Sequence, residues 1–147
     1  MANIQEKVIE RVRVIIIDSN KILLINRVKG ENSYWVLPGG GVEQCESHER
    51  AIERECLEEL GIKIRVQKLF LRRVGDKQGM EGQYEFFYLC DMVGGKVGTG
   101  GGPEFQPGTQ YKGEYRISWV DLKKLPDLNL KPGEVKDKII QEYLLNK

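Results

Sequence analysis

Residues 40–62 read GGVEQCESHERAIERECLEELGI, and the spacing of charge along them decides how the rest of the chain is understood. Ser47, Glu49 and Gly61 mark a helix: a serine N-cap, an acid in the positive first turn, and a glycine able to end it in the left-handed conformation. On a helix over 47–60, Ile52, Cys56 and Leu60 lie four apart on one apolar stripe. Glu55, Glu58 and Glu59 are then related by i, i+3 and i, i+4 steps, which stack three carboxylates on one face. Like charges so placed repel, and folding alone supplies no reason for them. A hard divalent cation does, because Mg²⁺ takes carboxylate oxygens and leaves coordination positions for substrate phosphates.

The same stretch carries a longer pattern. Gly40, then Glu46 after five residues, then Arg54-Glu55-Cys56-Leu57-Glu58-Glu59-Leu60-Gly61-Ile62 after seven more, resembles the Nudix box, G-x5-E-x7-R-E-U-x-E-E-x-G-U with U apolar. Every fixed position is filled, with Cys56 as a small, buried-type choice in the first apolar slot. The resemblance implies an α/β fold, an α/β/α sandwich with a mixed sheet. It also implies a hydrolase dependent on Mg²⁺ (or Mn²⁺) that cuts a diphosphate linked to another moiety, usually in a nucleotide.

What the resemblance implies for single residues follows position by position. Glu55, Glu58 and Glu59 bind the metal, joined by the Gly39 carbonyl; the ordinary alternative for such a charge run is a solvated helix face. The ions neutralise the diphosphate and lower the pKa of a water that attacks phosphorus in line. Glu58 is the one of the last pair expected near that water. Arg54 either contacts phosphate or, as the family favours, orients the glutamates by charge-assisted hydrogen bonds with Glu46 as a second partner. A base outside the box comes from a downstream glutamate: Glu104 first, then Glu114, with Glu81 and Glu85 weaker. The Gly39-Gly40-Gly41 run reads as a tight turn or a phosphate cradle, and it lacks the G-K-[ST] ending of a P-loop. His48 is expected to be exposed at the helix start. Tyr34, Trp35 and Phe86 read as core aromatics that could otherwise stack on a base.

Composition sets the frame. The 147 residues suit one domain with a real core. Lys plus Arg (23) nearly balances Asp plus Glu (22), so charge gives no reason to expect nucleic acid or a membrane surface as partner. Cysteines at 45, 56 and 90 form neither a disulfide framework nor a C-x-x-C motif. With no long apolar segment and a charged first dozen residues, a cytoplasmic protein acting on a small-molecule nucleotide is expected. Homodimers are common among similar proteins, and nothing in the sequence decides the oligomeric state.

Around the box, 8–17 and 21–28 read as strands of a hairpin turning at Asp18-Ser19-Asn20. Residues 29–33 look loop-like, Tyr34 to Leu37 a short strand, and 62–74 a strand. YEFFYLCDMV (84–93) reads as the most apolar, central strand, 114–120 as another. A short helical turn starts at Asp121 and stops at Pro126, and 132–145 reads as a closing amphipathic helix. The glycine run 94–103 reads as a hairpin or a lid.

Substrate-defining extras of the family are not visible: no proline occurs between Gly39 and Gly102, where ADP-ribose hydrolases often carry one past the box. The leading expectation is conversion of a nucleoside triphosphate, intact or damaged, to the monophosphate and pyrophosphate. ADP-ribose or another nucleoside diphosphate sugar stays open. A module that senses nucleotides without cleaving them is the reading from another class, and the complete box counts against it.

Overall fold

Alternation of apolar and polar residues from Ile9 to Asp18 makes a strand with two usable faces, and the architecture is arranged about it. The structure is a computed structural model that describes residues 9–75, 82–97 and 114–145. In chain order the elements are β1 (Ile9–Asp18), β2 (Lys21–Lys29), β3 (Asn32–Val36), β4 (Gly39–Gly41), α1 (His48–Leu60), β5 (Ile62–Val74), β6 (Gln83–Gly95) and β7 (Glu114–Asp121). A 3-10 segment, Leu122–Asp127, leads to β8 (Leu130–Lys131) and α2 (Gly133–Ile140), which widens into a π turn, Gln141–Leu145.

One edge of β1 pairs with β6 in parallel from Ile9 to Ile16, and β5 then pairs antiparallel with β6. The other edge of β1 is shared. Arg11 to Arg13 pair with β4, and only Ile17 and Asp18 pair with β2. The hairpin expected at Asp18-Ser19-Asn20 therefore exists but opens after two residue pairs. Beyond it β2 turns away to pair with β3 and β7, and β8 lies parallel to β3. The sheet is mixed, as expected, and it forks at β1.

The fork divides the core. Val12, Val14, Ile16 and Leu23 pack under α1 with Ile52, Cys56 and Leu60. Ile15, Ile22, Leu24 and Phe87 face the other way, toward Leu125, Val135 and Ile139 around α2. Period-2 alternation on one strand thus feeds two helices on opposite sides, which is the sandwich the resemblance implied. Helix α1 has the ends its sequence announces. Ser47 accepts from the Arg50 amide at 3.2 Å, and Gly61 takes φ 75° while its amide reaches back to Leu57 O at 3.1 Å.

Four expectations need correction. Asn32 and Ser33 belong to β3 rather than a loop, because pairing with Lys29 and Val28 extends the ladder past the point where side-chain polarity suggests a stop. Gly39 to Gly41 form a strand, not a bare turn, since β1 offers them an open edge where β2 departs. Pro126 sits inside the 3-10 segment rather than ending it. The closing helix is regular only to Ile140. Of the glycine run, Gly94 and Gly95 finish β6, and the stretch from 98 onward lies outside the described residues.

Among the described residues no helix is long and apolar enough to cross a membrane. Cys56 and Cys90 are buried in the core beneath α1, and Cys45 is exposed. Phe87 is fully buried between the sheet and α2, whereas Leu57 on the outer face of α1 is 54% exposed. Phe87→Ala is expected to cost about 3–5 kcal/mol through lost burial and an unfilled cavity. Leu57→Ala should stay within about 0.5 kcal/mol. Denaturant midpoints at unchanged slope measure both.

Candidate active site

Arg54 organises the acidic face of α1. Its guanidinium holds Glu46 through two parallel bonds, Nε to Oε2 and Nη2 to Oε1, each 2.9 Å. Nη2 also donates to Gly41 O at 3.0 Å, and Nη1 donates to Glu55 Oε1 at 3.0 Å and Glu58 Oε2 at 3.4 Å. Paired donors in a fixed fork suit a carboxylate, and they tie helix, preceding loop and β4 together. Arg54 thus makes the contacts to Glu46, Glu55 and Glu58 on which the orienting reading depends. Glu46 also accepts from the Glu43 amide at 3.0 Å.

These contacts shift the acids apart. The Arg54 bonds, with help from the Glu43 amide, lower the Glu46 carboxyl to about 2 despite partial burial. The same pairing raises the Arg54 guanidinium. Burial pushes the Glu55 carboxyl above its ordinary range, and Arg54 and Arg13 pull it back in part, while neighbouring Glu58 adds to the rise.

Gly39 and Gly40 fit the helix against the sheet. Gly39 has φ 146°, and a Cβ there would overlap the Val12 carbonyl of β1. A Cβ on Gly40 would overlap the Glu55 carboxylate, which lies directly over it. The Gly39 amide donates to Glu59 Oε1 at 3.0 Å. Glu55, Glu58 and Glu59 are therefore on one face beside the Gly39 backbone, as their spacing predicts. The donors are all oxygen, the kind a hard divalent cation takes, and Arg54 engages only one oxygen each of Glu55 and Glu58. Among the described residues no three acidic, histidine or cysteine side chains already close round one point. The set fits a hard cation in the chemistry of its donors.

Next to this face lies a cleft of about 360 Å³. Arg13 and Leu37 line it nearest the box, Glu85 and Arg73 form its inner wall, and Lys131 and Glu134 come from the β8–α2 side. Arg13 joins the two regions: it lines the cleft, donates to Leu37 O at 3.4 Å, and acts electrostatically on Glu55.

A family model described as the NUDIX domain matches residues 8–143. The chain belongs to the Nudix family. The ADP-ribose pyrophosphatase of Methanocaldococcus jannaschii is 30% identical over 132 residues, covering 88% of this chain and 69% of that protein. A relative from Caenorhabditis elegans is 35% identical over 83 residues, 56% of this chain, and the match spans only 22% of that longer protein. Among solved structures, a Nudix hydrolase from Nitrosomonas europaea superposes with TM-score 0.69 at 19% identity, over 96% of this chain and 92% of that one. Nudix hydrolases use divalent metal ions generally, in keeping with the oxygen-rich face.

The remaining candidates separate. Glu81 and Glu104 lie outside the described residues, and Glu114 begins β7 with its side chain outside them. Glu85, a weaker candidate from sequence, lines the cleft. Phe86 packs on the α1 side and Trp35 on the α2 side. Lys131 Nζ stands 4.7 Å from the centre of the Tyr34 ring. His48 is not exposed as expected. Its Nδ1 is 2.6 Å from Tyr88 Oη and its Nε2 is 3.0 Å from Glu10 Oε2, with Phe86 stacked beside it. The residue fastens the start of α1 to β1 and β6. Arg13, Arg73, Lys131 and Glu134 carry no sequence signal of their own, since strand pairing and the α2 packing bring them together. The one hint was two arginines alternating with valines in β1.

Three expectations follow. Gly39→Ala should cost at least about 2 kcal/mol, because the overlap is with backbone at a φ that side chains avoid. Gly40→Ala should stay within about 1 kcal/mol, since the Glu55 carboxylate can swing aside, yet lose activity with it. Denaturation and phosphate-release assays on both separate the cases. A depressed Glu46 stabilises the fold fully above the ordinary value of about 4.5, and that share is lost as pH falls through about 2. Wild type should therefore lose more stability than Glu46→Gln between those limits, as read by thermal midpoints across pH.

Proposed function

We propose that this chain hydrolyses a phosphoanhydride bond in a nucleotide, with water as the acceptor. The observation that carries the reading is the face of Glu55, Glu58 and Glu59, bonded to Arg54 and the Gly39 amide and linked through Arg13 to a cleft of about 360 Å³. Those carboxylates and the Gly39 carbonyl would hold Mg²⁺, or Mn²⁺ in its place. When bound, the ion supplies positive charge to the diphosphate oxygens and activates water.

The protein's own groups do the rest. Arg54 holds one oxygen each of Glu55 and Glu58, which spares the reaction part of the cost of ordering them. Glu58 would take a proton from the attacking water, a reading supported by its exposure of 47%, above that of Glu55. Arg13, between cleft and carboxylates, counters charge on the phosphate nearer the nucleoside. Glu104, outside the described residues, is the proposed further base.

For substrate class, a nucleoside diphosphate joined to a second moiety, with ADP-ribose as the type compound, has the support of the Methanocaldococcus jannaschii relative. A nucleoside triphosphate is the second reading, favoured by the absence of proline between Gly39 and Gly102. A single domain acting in the cytoplasm on a small molecule completes the proposal.

The test is a phosphate- and pyrophosphate-release screen over nucleoside triphosphates, diphosphate sugars and dinucleoside polyphosphates with Mg²⁺ or Mn²⁺. Glu58→Gln and Glu59→Gln should each lose roughly two or more orders of magnitude in kcat, about 2.7 kcal/mol or more of barrier. Wild-type rates in both variants would refute the assignment. Tight nucleotide binding with no turnover in either metal would instead indicate a sensing module.

A further inference from the structure

The inner wall of the cleft has a feature that the proposed reaction does not use. Glu85 is 6% exposed, the one buried charged side chain among the described residues. A charge is kept from water only where partners replace its hydration. Arg73 does so at one oxygen, donating from Nη1 to Oε1 at 2.6 Å. At the other, the Arg13 Nε stands 3.9 Å from Oε2, too far for a hydrogen bond. A carboxylate oxygen has two lone pairs, so Oε2 keeps acceptor capacity on a residue that lines the cavity.

Charge alternates along this wall. The Glu55 face is followed by Arg13, then Glu85, then Arg73, whose Nε donates to Glu134 Oε2 at 3.3 Å on α2. A ligand with its diphosphate at the box carboxylates puts its negative charge beside Arg13 and its next, neutral portion beside Glu85. A second anionic group at that depth would meet the buried carboxylate and be repelled. A neutral donor would complete it.

We propose that Glu85 is the specificity-determining residue of the cleft, accepting through Oε2 from a neutral hydrogen-bond donor on the nucleoside part of the substrate. The inference rests on the reading that the cleft receives a nucleotide. Two sources share the required chemistry: the vicinal hydroxyls of the sugar, and an exocyclic amine of the base. Glu85→Gln keeps the shape and can keep the Arg73 bond at Oε1, but it turns an amide donor toward the ligand donor.

Equilibrium binding by calorimetry in excess chelator reads the cleft without cation and without turnover. The probes are the adenosine, guanosine, cytidine and uridine 5′-monophosphates, their 2′,3′-dideoxy counterparts, and inosine 5′-monophosphate. Wild type should bind at least one ribonucleotide ~tenfold or more tightly than the analogue lacking the relevant donor, because a site left with an unfilled buried acceptor rejects it. Loss on the dideoxy analogue identifies the hydroxyls; loss on inosine relative to adenosine identifies the amine. In Glu85→Gln that preference should shrink to within about twofold.

Equal binding of a ribonucleotide and its analogues by wild type overturns the inference, whether or not the variant folds. So does a variant that weakens every probe by one factor, which is the mark of a merely structural residue. No binding by any probe also overturns it. Hydrolysis by wild type in Mg²⁺, assayed separately, can survive each of these outcomes, and its absence alongside an intact donor preference would instead strike the proposed reaction.

Discussion

One guanidinium carries the arrangement of the acidic face. Arg54 bridges the loop before α1 (Glu46), β4 (Gly41 O) and the helix itself (Glu55, Glu58), and it stands 3.7 Å from Glu43. It is a single positive charge among four carboxylates, so the cluster remains negative after every pairing is made. At exposed Glu58 and Glu43 water screens much of the repulsion. At Glu55, whose side chain is 16% exposed, burial itself pushes the carboxyl up, and neighbouring Glu58 adds a smaller share that Arg54 and Arg13 oppose. The protein holds a local excess of negative charge about one guanidinium, the charge that the proposed cation would offset.

The second organising element is the fork in β1. Because β4 takes the edge that β2 abandons, the box glycines are sewn into the sheet rather than hanging from it. The helix is thereby held at backbone distance: Gly40 has Glu55 over it and Gly39 has β1 beneath it. Successive residues of β1 then serve different ends. Val12 and Val14 support α1 from below, while Arg13 between them points into the cleft.

How far the sequence could be read depended on range. Helix α1, its Ser47 cap and its Gly61 end were legible because their partners lie within one local stretch and obey one period, while the contacts of Arg54 with Glu46 were expected through the resemblance. The box glycines were legible as important but not as a strand, since β4 exists only through an edge supplied by residues 11–13. His48 was misread for a similar reason: its partners Glu10 and Tyr88 are 38 and 40 residues away, and no local pattern signals them. The cleft was the least legible part. Arg13, Arg73, Glu85 and Glu134 come from three strands and a helix, and the pairing of β1 and β5 with β6 and the packing of α2 assemble them.

The placement of the thiols gives the molecule a chemical polarity of its own. Burial pushes the Cys90 thiol up to about 12 and the Cys56 thiol higher still, so neither offers a thiolate to an oxidant or an alkylating agent while α1 stays seated. Cys45 lies outside that shelter, exposed on the loop that Arg54 and Glu46 hold in place. Electrophiles thus meet a surface with one open sulfur at the doorstep of the acidic face and two sealed beneath it. Uptake of reagent by the sealed pair becomes a clock for the lifting of the helix from its sheet.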